Sequence, residues 1–336
     1  MNNSYEQPTH SKQSGEYYYT PPAPPAEFYE KAAIKRSGKK VGLSLIFFFA
    51  STLFVSVALG IVLGALGKQA LASDKFFVLF VNLLATTVGF LGGGLFLKKQ
   101  LKEKNLISFA APKNGSFFPL VIMGLGFCYV ANMAVSLLAN NLSFLGELKG
   151  GEIDMPSGPL GFAFTVLSVA VFPAFLEEFF FRGVLLGTLS KFGKPFAIFT
   201  SSLLFGLIHG NLVQIPFAFL VGIILSFAVL ESGSIWTGIV IHFLNNFISI
   251  CFKYLSDMGG EEASNLIFSL FILVAMGLGF LGLYLLCVRD NKVFEFPKTN
   301  HTTAVSKRFW WFVGSPTIII SLVFVALEIL ATQLAA

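Results

Sequence analysis

Hydrophobic positions along this chain neither alternate with polar ones nor recur only on one helical face. They run unbroken for a score of residues at a time, near 41–67, 76–97, 117–140, 161–189, 195–213, 215–231, 234–255, 264–287 and 311–333. A helix needs roughly 20 apolar residues to cross a hydrocarbon core of ~30 Å, so each run is a candidate span. Inside lipid every backbone N–H and C=O must be paired within the protein, which leaves helices or a closed barrel, and barrel strands would show a period of two. The pattern therefore predicts an all-α fold, a polytopic transmembrane helical bundle of about eight core spans plus one C-terminal span.

Composition agrees: 55% of the 336 residues are hydrophobic, 12% are charged, and the mean hydropathy is +0.76, which excludes an ordinary soluble domain. Residues 1–40 differ from the rest, being polar and proline-bearing without the short apolar core of a cleavable signal. They are expected to be a disordered cytoplasmic tail, and the YYYTPPAPPA stretch is read as a spacer. Residues 41–290 are expected to form the membrane domain, and 291–336 a loop with an additional span.

Charge then gives the orientation. Arg36, Lys39 and Lys40 precede the first span, Lys98, Lys99, Lys102, Lys104 and Lys113 follow the second, Lys191 and Lys194 follow the fourth, and Arg289, Lys292, Lys298, Lys307 and Arg308 follow the eighth. All these loops fall on one side, whereas 146–158 and 256–264 on the other are acidic or nearly neutral. Short loops rich in lysine and arginine stay in the cytoplasm, so a multi-pass cell-membrane protein with a cytoplasmic N-terminus and an external C-terminus is expected. The net charge of +5 is thereby a topology signal and implies no nucleic-acid partner. Cys128, Cys251 and Cys287 all lie in or at the end of apolar spans and suggest neither disulfides nor a CxxC metal motif.

Ionisable groups inside a span cost on the order of 2.5–3.5 kcal/mol each on insertion scales, so each is a functional candidate. Within the runs they are Glu177, Glu178 and Arg182 in the fourth, His209 in the fifth, and His242 in the seventh, beside the amides Asn245 and Asn246. Glu231, Lys253 and Glu328 are read as ordinary residues near span ends. Glu178 and Arg182 are four apart and can pair on one face, which leaves Glu177, turned roughly 100° away, without a local partner. At 1.5 Å per residue, Glu177 lies ~18 Å from the cytoplasmic end of its span, His209 ~20 Å, His242 ~12 Å and Asn246 ~18 Å, so the four converge on similar depths. His242 and Asn246 share a face, with Asn245 pointing elsewhere, and Phe205 stands one turn from His209. Pro173, four residues before Glu177, withholds a backbone donor and can open the helix there.

A carboxylate beside an imidazole can take a proton from water, while a second imidazole and an amide can donate to an oxygen that turns negative; this is equipment for hydrolysing an amide. No GxSxG elbow suggests an acyl-enzyme. The stretches PAFLEEFFFRGVL (173–185), FGLIH (205–209) and HFLNN (242–246) resemble, in order and spacing, the EExxxR, FxxxH and HxxxN motifs of the CPBP family of intramembrane endopeptidases, which includes type II CAAX prenyl proteases and proteins linked to bacteriocin self-immunity. SGSIW (232–236) also resembles the family pattern, and the likeness is strong over about 160–250. The resemblance implies Glu177 as general base assisted by His209, His242 and Asn246 as the oxyanion site, and Glu178 with Arg182 as structural support. It implies no metal and no cofactor, and a peptide or membrane-protein substrate, lipidated or not. The long amino-terminal tail and the span after 308 depart from the family pattern and leave the substrate open. Two other classes stay open: a zinc protease using Glu177, His209 and His242, although HExxH is absent, and a non-catalytic membrane immunity or scaffold protein.

Overall fold

A computed structural model describes residues 10–13, 16–19, 24–101, 107–112, 115–142, 154–291, 293–295 and 303–334. A short antiparallel pair, β1 (His10–Gln13) and β2 (Glu16–Tyr19), comes first. Besides a 3-10 turn at Gln69–Ser73, ten helices follow among the described residues: α1 (Ala26–Ala65), α2 (Lys75–Leu101), α3 (Phe117–Leu142), α4 (Gly158–Phe192), α5 (Lys194–Leu207), α6 (Gln214–Ser232), α7 (Ile235–Gly259), α8 (Glu261–Arg289), α9 (Val305–Val313) and α10 (Pro316–Leu334). Eight of them are long and apolar enough to cross a membrane, and the fold is a polytopic all-α bundle. Its outward faces are apolar, with Phe54, Ile61, Leu273 and Leu330 more than half exposed, while Glu178, Arg182, Ser202 and Ser226 are fully buried. This inverted distribution is what a lipid solvent demands.

Two expectations change. The run at 195–213 is not a full span: α5 has 14 residues, ~21 Å of helix against the ~30 Å of a hydrocarbon core. It stops because Gly210 adopts φ +60° and the Asn211 carboxamide oxygen accepts from the backbone N–H groups of Val213 at 2.9 Å and Gln214 at 3.1 Å, starting α6 in the opposite sense. The tight hairpin apex carries His209. Residues 26–40, expected in a disordered tail, are instead the first turns of α1. Their sequence is rich in helix formers, and packing against α9 and α10 buries Ile34, Ser37 and Gly38. The lower-numbered tail residues 1–9, 14–15 and 20–23 lie outside the described residues.

Without a hydrophobic drive between helices in lipid, close packing through small residues holds the bundle together. Gly38 and Gly42, one turn apart on α1, face Ser315 and Thr317. Hydroxyls of Thr317 and Ser321 donate to the carbonyls of Lys39 at 2.9 Å and Gly42 at 3.1 Å. The C-terminal helices are therefore fastened along α1. Gly126 of α3 meets Gly279 of α8 backbone to backbone. Contacts also sort the helix ends. Lys40 Nζ donates to the Gln100 carbonyl at 2.8 Å, buried Arg308 donates to the Phe192 carbonyl and lies 3.6 Å from Glu30, and Lys307 pairs with Glu27. These residues share one basic end. At the other, Lys75 pairs with Asp154 at 2.5 Å and Phe162 packs on Tyr254. Lys102, Lys104, Lys113, Lys292 and Lys298 lie outside the described residues.

A Cβ at Gly126 would fall on the backbone of α8, so Gly126→Val is expected to lower stability by about 1–3 kcal/mol or more through overpacking. Thermal unfolding of the detergent-solubilised protein checks this; an unchanged midpoint would mean that α3 and α8 do not meet there.

Candidate active site

The site begins with an irregularity in α4. Two stretches of this helix, Val166–Val171 and Glu178–Leu186, are wound as π-helix on either side of Phe172–Glu177. Single π turns inside α-helices widen the backbone spiral and free main-chain groups. Pro173 offers no N–H to the Val169 carbonyl four residues before it. That carbonyl instead accepts from Asn246 Nδ2 on α7 at 3.0 Å, so the defect expected beside Glu177 is where α7 attaches.

Glu178, at the start of the second π stretch, is completely buried. One of its oxygens, Oε1, accepts both from Arg182 Nη1 at 2.6 Å and from His242 Nδ1 at 3.0 Å. The Arg182 guanidinium is equally buried, lies 4.2 Å from the Phe205 ring centroid and reaches the Gly222 carbonyl at 3.4 Å. One carboxylate thus ties together α4, α6 and α7. The expected Glu178–Arg182 pair is present, and its contact with His242 is an addition that i, i+4 spacing on one helix cannot show.

Because Nδ1 is turned to Glu178, the other nitrogen of His242 faces Glu177: Nε2 stands 4.0 Å from Glu177 Oε2, which has no hydrogen-bond partner in the protein. His209 is fixed in a comparable way. Its Nδ1 is 2.8 Å from the Phe205 carbonyl, and a carbonyl only accepts, so Nδ1 carries a proton and Nε2 is the nitrogen that holds the lone pair in the neutral ring. The Phe205 ring lies edge-on to both imidazoles, with centroids 5.1 Å from His209 and 6.0 Å from His242. Glu177, His209, His242 and Asn246 all line one cavity of about 360 Å³.

Sequence reasoning missed several residues here. Asn245 does not point elsewhere: it is buried, lines the same cavity, and its Nδ2 donates to Asn246 Oδ1 at 3.1 Å, fixing which end of that amide is a donor. Asn82 and Thr86 on α2, Ser168 on α4, Gln214 on α6 and Ser249 on α7 add a polar lining. They are uncharged, so a scan for ionisable groups passes over them. Glu328, read as a span-end residue, sits in α10 with its carboxyl group against Gly210, beside His209, where a Cβ on the glycine would come within 2.7 Å of it. Among the described residues no group of three or more His, Cys, Asp or Glu side chains is arranged as a metal site.

With this geometry in view, comparison with known proteins is informative. Residues 159–248 match the family model of type II CAAX prenyl endopeptidases, Rce1-like. The motif core is thus similar to type II CAAX prenyl endopeptidases, a family of membrane proteases. The membrane-embedded CAAX protease MroQ of Staphylococcus aureus (strain USA300) is 28% identical over 170 residues, covering 46% of this chain and 66% of that protein, just under two thirds of its length. No solved structure matches the chain. The matched stretch spans α4 to α7 and holds all seven motif residues, while α2, with Asn82 and Thr86, and α10, with Glu328, lie outside it.

Removing one member of a buried ion pair leaves an uncompensated charge, so Arg182→Ala is expected to cost about 3–5 kcal/mol, read as lost folded yield and a lower unfolding midpoint. Pro173→Ala returns an N–H to compete for the Val169 carbonyl. It is expected to keep the fold while releasing Asn246, with activity falling by up to about 100-fold, the scale of small misplacements of catalytic groups. Full activity in Pro173→Ala would show that the Asn246 anchor is unimportant.

Proposed function

We propose that the chain is a multi-pass membrane endopeptidase that hydrolyses a peptide bond with a water activated by Glu177. The observation that supports this best is the disposition of three atoms on residues that line the cavity. Glu177 Oε2 and His242 Nε2 lie 4.0 Å apart, and with its Nδ1–H held by the Phe205 carbonyl a neutral His209 ring offers its Nε2 lone pair. A water between Glu177 and His242 is within hydrogen-bond distance of both. Glu177 takes one proton from that water as the oxygen attacks the peptide carbonyl, and His209 accepts a hydrogen bond that keeps the carboxylate and water aligned. The carbonyl oxygen becomes an oxyanion. It is met by the second N–H of Asn246 Nδ2, whose first is spent on Val169, and by His242 Nε2–H when that ring carries both protons. Collapse of the tetrahedral intermediate breaks the C–N bond, and the proton held by Glu177 passes to the leaving amine. Glu178 and Arg182 touch no reacting atom; they are positioning residues that act through His242.

No step uses a metal, and the substrate is a peptide or membrane protein, lipidated or not. The chain is placed in the cell membrane with its N-terminus in the cytoplasm, as its basic end suggests.

Glu177→Gln is expected to lower cleavage of a peptide or membrane-protein substrate by about 10²–10⁴-fold, the range of general-base catalysis, with the fold intact. Asn246→Ala is expected to lower it by about 10²–10³-fold, as loss of an oxyanion donor does. Chelators should leave wild-type cleavage unchanged. Activity that survives Glu177→Gln would remove the proposal, and activity lost on chelation and restored by zinc would assign Glu177, His209 and His242 to a metal instead.

A further inference from the structure

The cavity is asymmetric along the membrane normal. On each helix that lines it, the lining runs from the level of the acidic pair toward the end opposite the lysines: Phe90, Thr86 and Asn82 ascend α2, Glu177, Pro173 and Ser168 ascend α4, and His242, Asn246 and Ser249 ascend α7. Asn82 and Ser249, the farthest along, are exposed. In the other direction the site is closed. Phe180, Phe181, Arg182, Val184, Leu185, Leu186 and Leu189 of α4 are all fully buried, and the Phe90 and Phe205 rings are almost wholly so. Above the opening a second hollow of about 680 Å³ lies at the same end, lined by Lys75, Asp154, Lys253 and Tyr254. It continues the α7 face one turn beyond Ser249. Of the lining helices, α5 turns back at Gly210 before reaching that end.

Lysine and arginine mark the closed end as cytoplasmic. We propose that the cavity takes its peptide from the non-cytoplasmic side, from an exported or membrane-anchored polypeptide presented at the outer half of the bilayer, and not from the tail of a cytosolic protein. This rests on the protease reading of the site. The uncharged lining of Asn82, Thr86, Gln214 and Ser249 suits an extended segment, since amides and hydroxyls both donate to and accept from peptide groups without demanding a charged side chain.

The test is thiol labelling of single-cysteine proteins in which Cys128, Cys251 and Cys287 are replaced by alanine. The membrane-impermeant reagent methanethiosulfonate ethylsulfonate is added to intact cells and to inverted membrane vesicles. Ser249→Cys and Asn82→Cys are expected to react in intact cells, and Lys191→Cys, exposed at the basic end, only in inverted vesicles. Two positions are used so that one misfolded variant does not decide the outcome. Ser249→Cys and Asn82→Cys reacting from the same side as Lys191→Cys, or failing to react from outside, would overturn the proposal. Labelling reads the side of the opening and is independent of the chemistry, so labelling from outside together with full cleavage by Glu177→Gln would overturn the catalytic reading while the side of the opening stood.

Discussion

One buried carboxylate oxygen holds this site in place. Glu178 Oε1 receives Arg182 from its own helix and His242 from α7, in surroundings where neither charge has access to water. Burying ions is expensive, and since Glu178 Oε2 and Arg182 Nε have no hydrogen-bond partner, the contacts at Oε1 carry the compensation. The requirement propagates outward. Arg182 must lie against the Phe205 ring, which places α5; it must reach Gly222, which places α6; and His242 must present Nδ1 to Glu178, which leaves Nε2 for Glu177. The geometry of the proposed site thus follows from an electrostatic constraint one residue away from the proposed base.

A second constraint is a deliberate fault in the helix. Because Pro173 cannot donate and the flanking turns are π-helical, a main-chain carbonyl of α4 is available in the middle of the bundle, and Asn246 takes it. Lipid cannot satisfy such a carbonyl, and here the Asn246 side chain does. Asn245 then fixes the Asn246 amide by donating to its oxygen, leaving one N–H of Asn246 for the cavity. Backbone chemistry and side-chain chemistry meet at this point, where α4 and α7 supply the water-activating and oxyanion-binding halves of the proposed mechanism.

The spans were legible because lipid imposes long apolar runs, and the charged motif residues were legible because charges there are rare. Glu177, His209, His242 and Asn246 do line one cavity, as their depths suggested. Depth says nothing about azimuth, however, so Asn245 was turned away and the bond from His242 to Glu178 was unseen. The end of α5 was overrun because residues 208–213 are mostly apolar, while what stops the helix is the positive φ of Gly210 and the cap from Asn211. Residues 26–40 look like a tail until α9 and α10 supply a surface for Ile34 and Gly38, a tertiary effect with no local signature. Glu328 was set aside for its place near a span end, yet the return of α10 along α1 carries it to the His209 turn.

Glu178 sets the face that His242 shows to Glu177. Nitrogen-15 NMR of histidine-labelled protein in lipid reads it directly, since protonated and unprotonated ring nitrogens have separate resonances. Both His242 and His209 should show a protonated Nδ1, and Glu178→Gln should shift the His242 resonances while leaving those of His209 in place. An unprotonated Nδ1 at His242 in the unaltered protein, or His242 resonances indifferent to Glu178→Gln, would contradict the account.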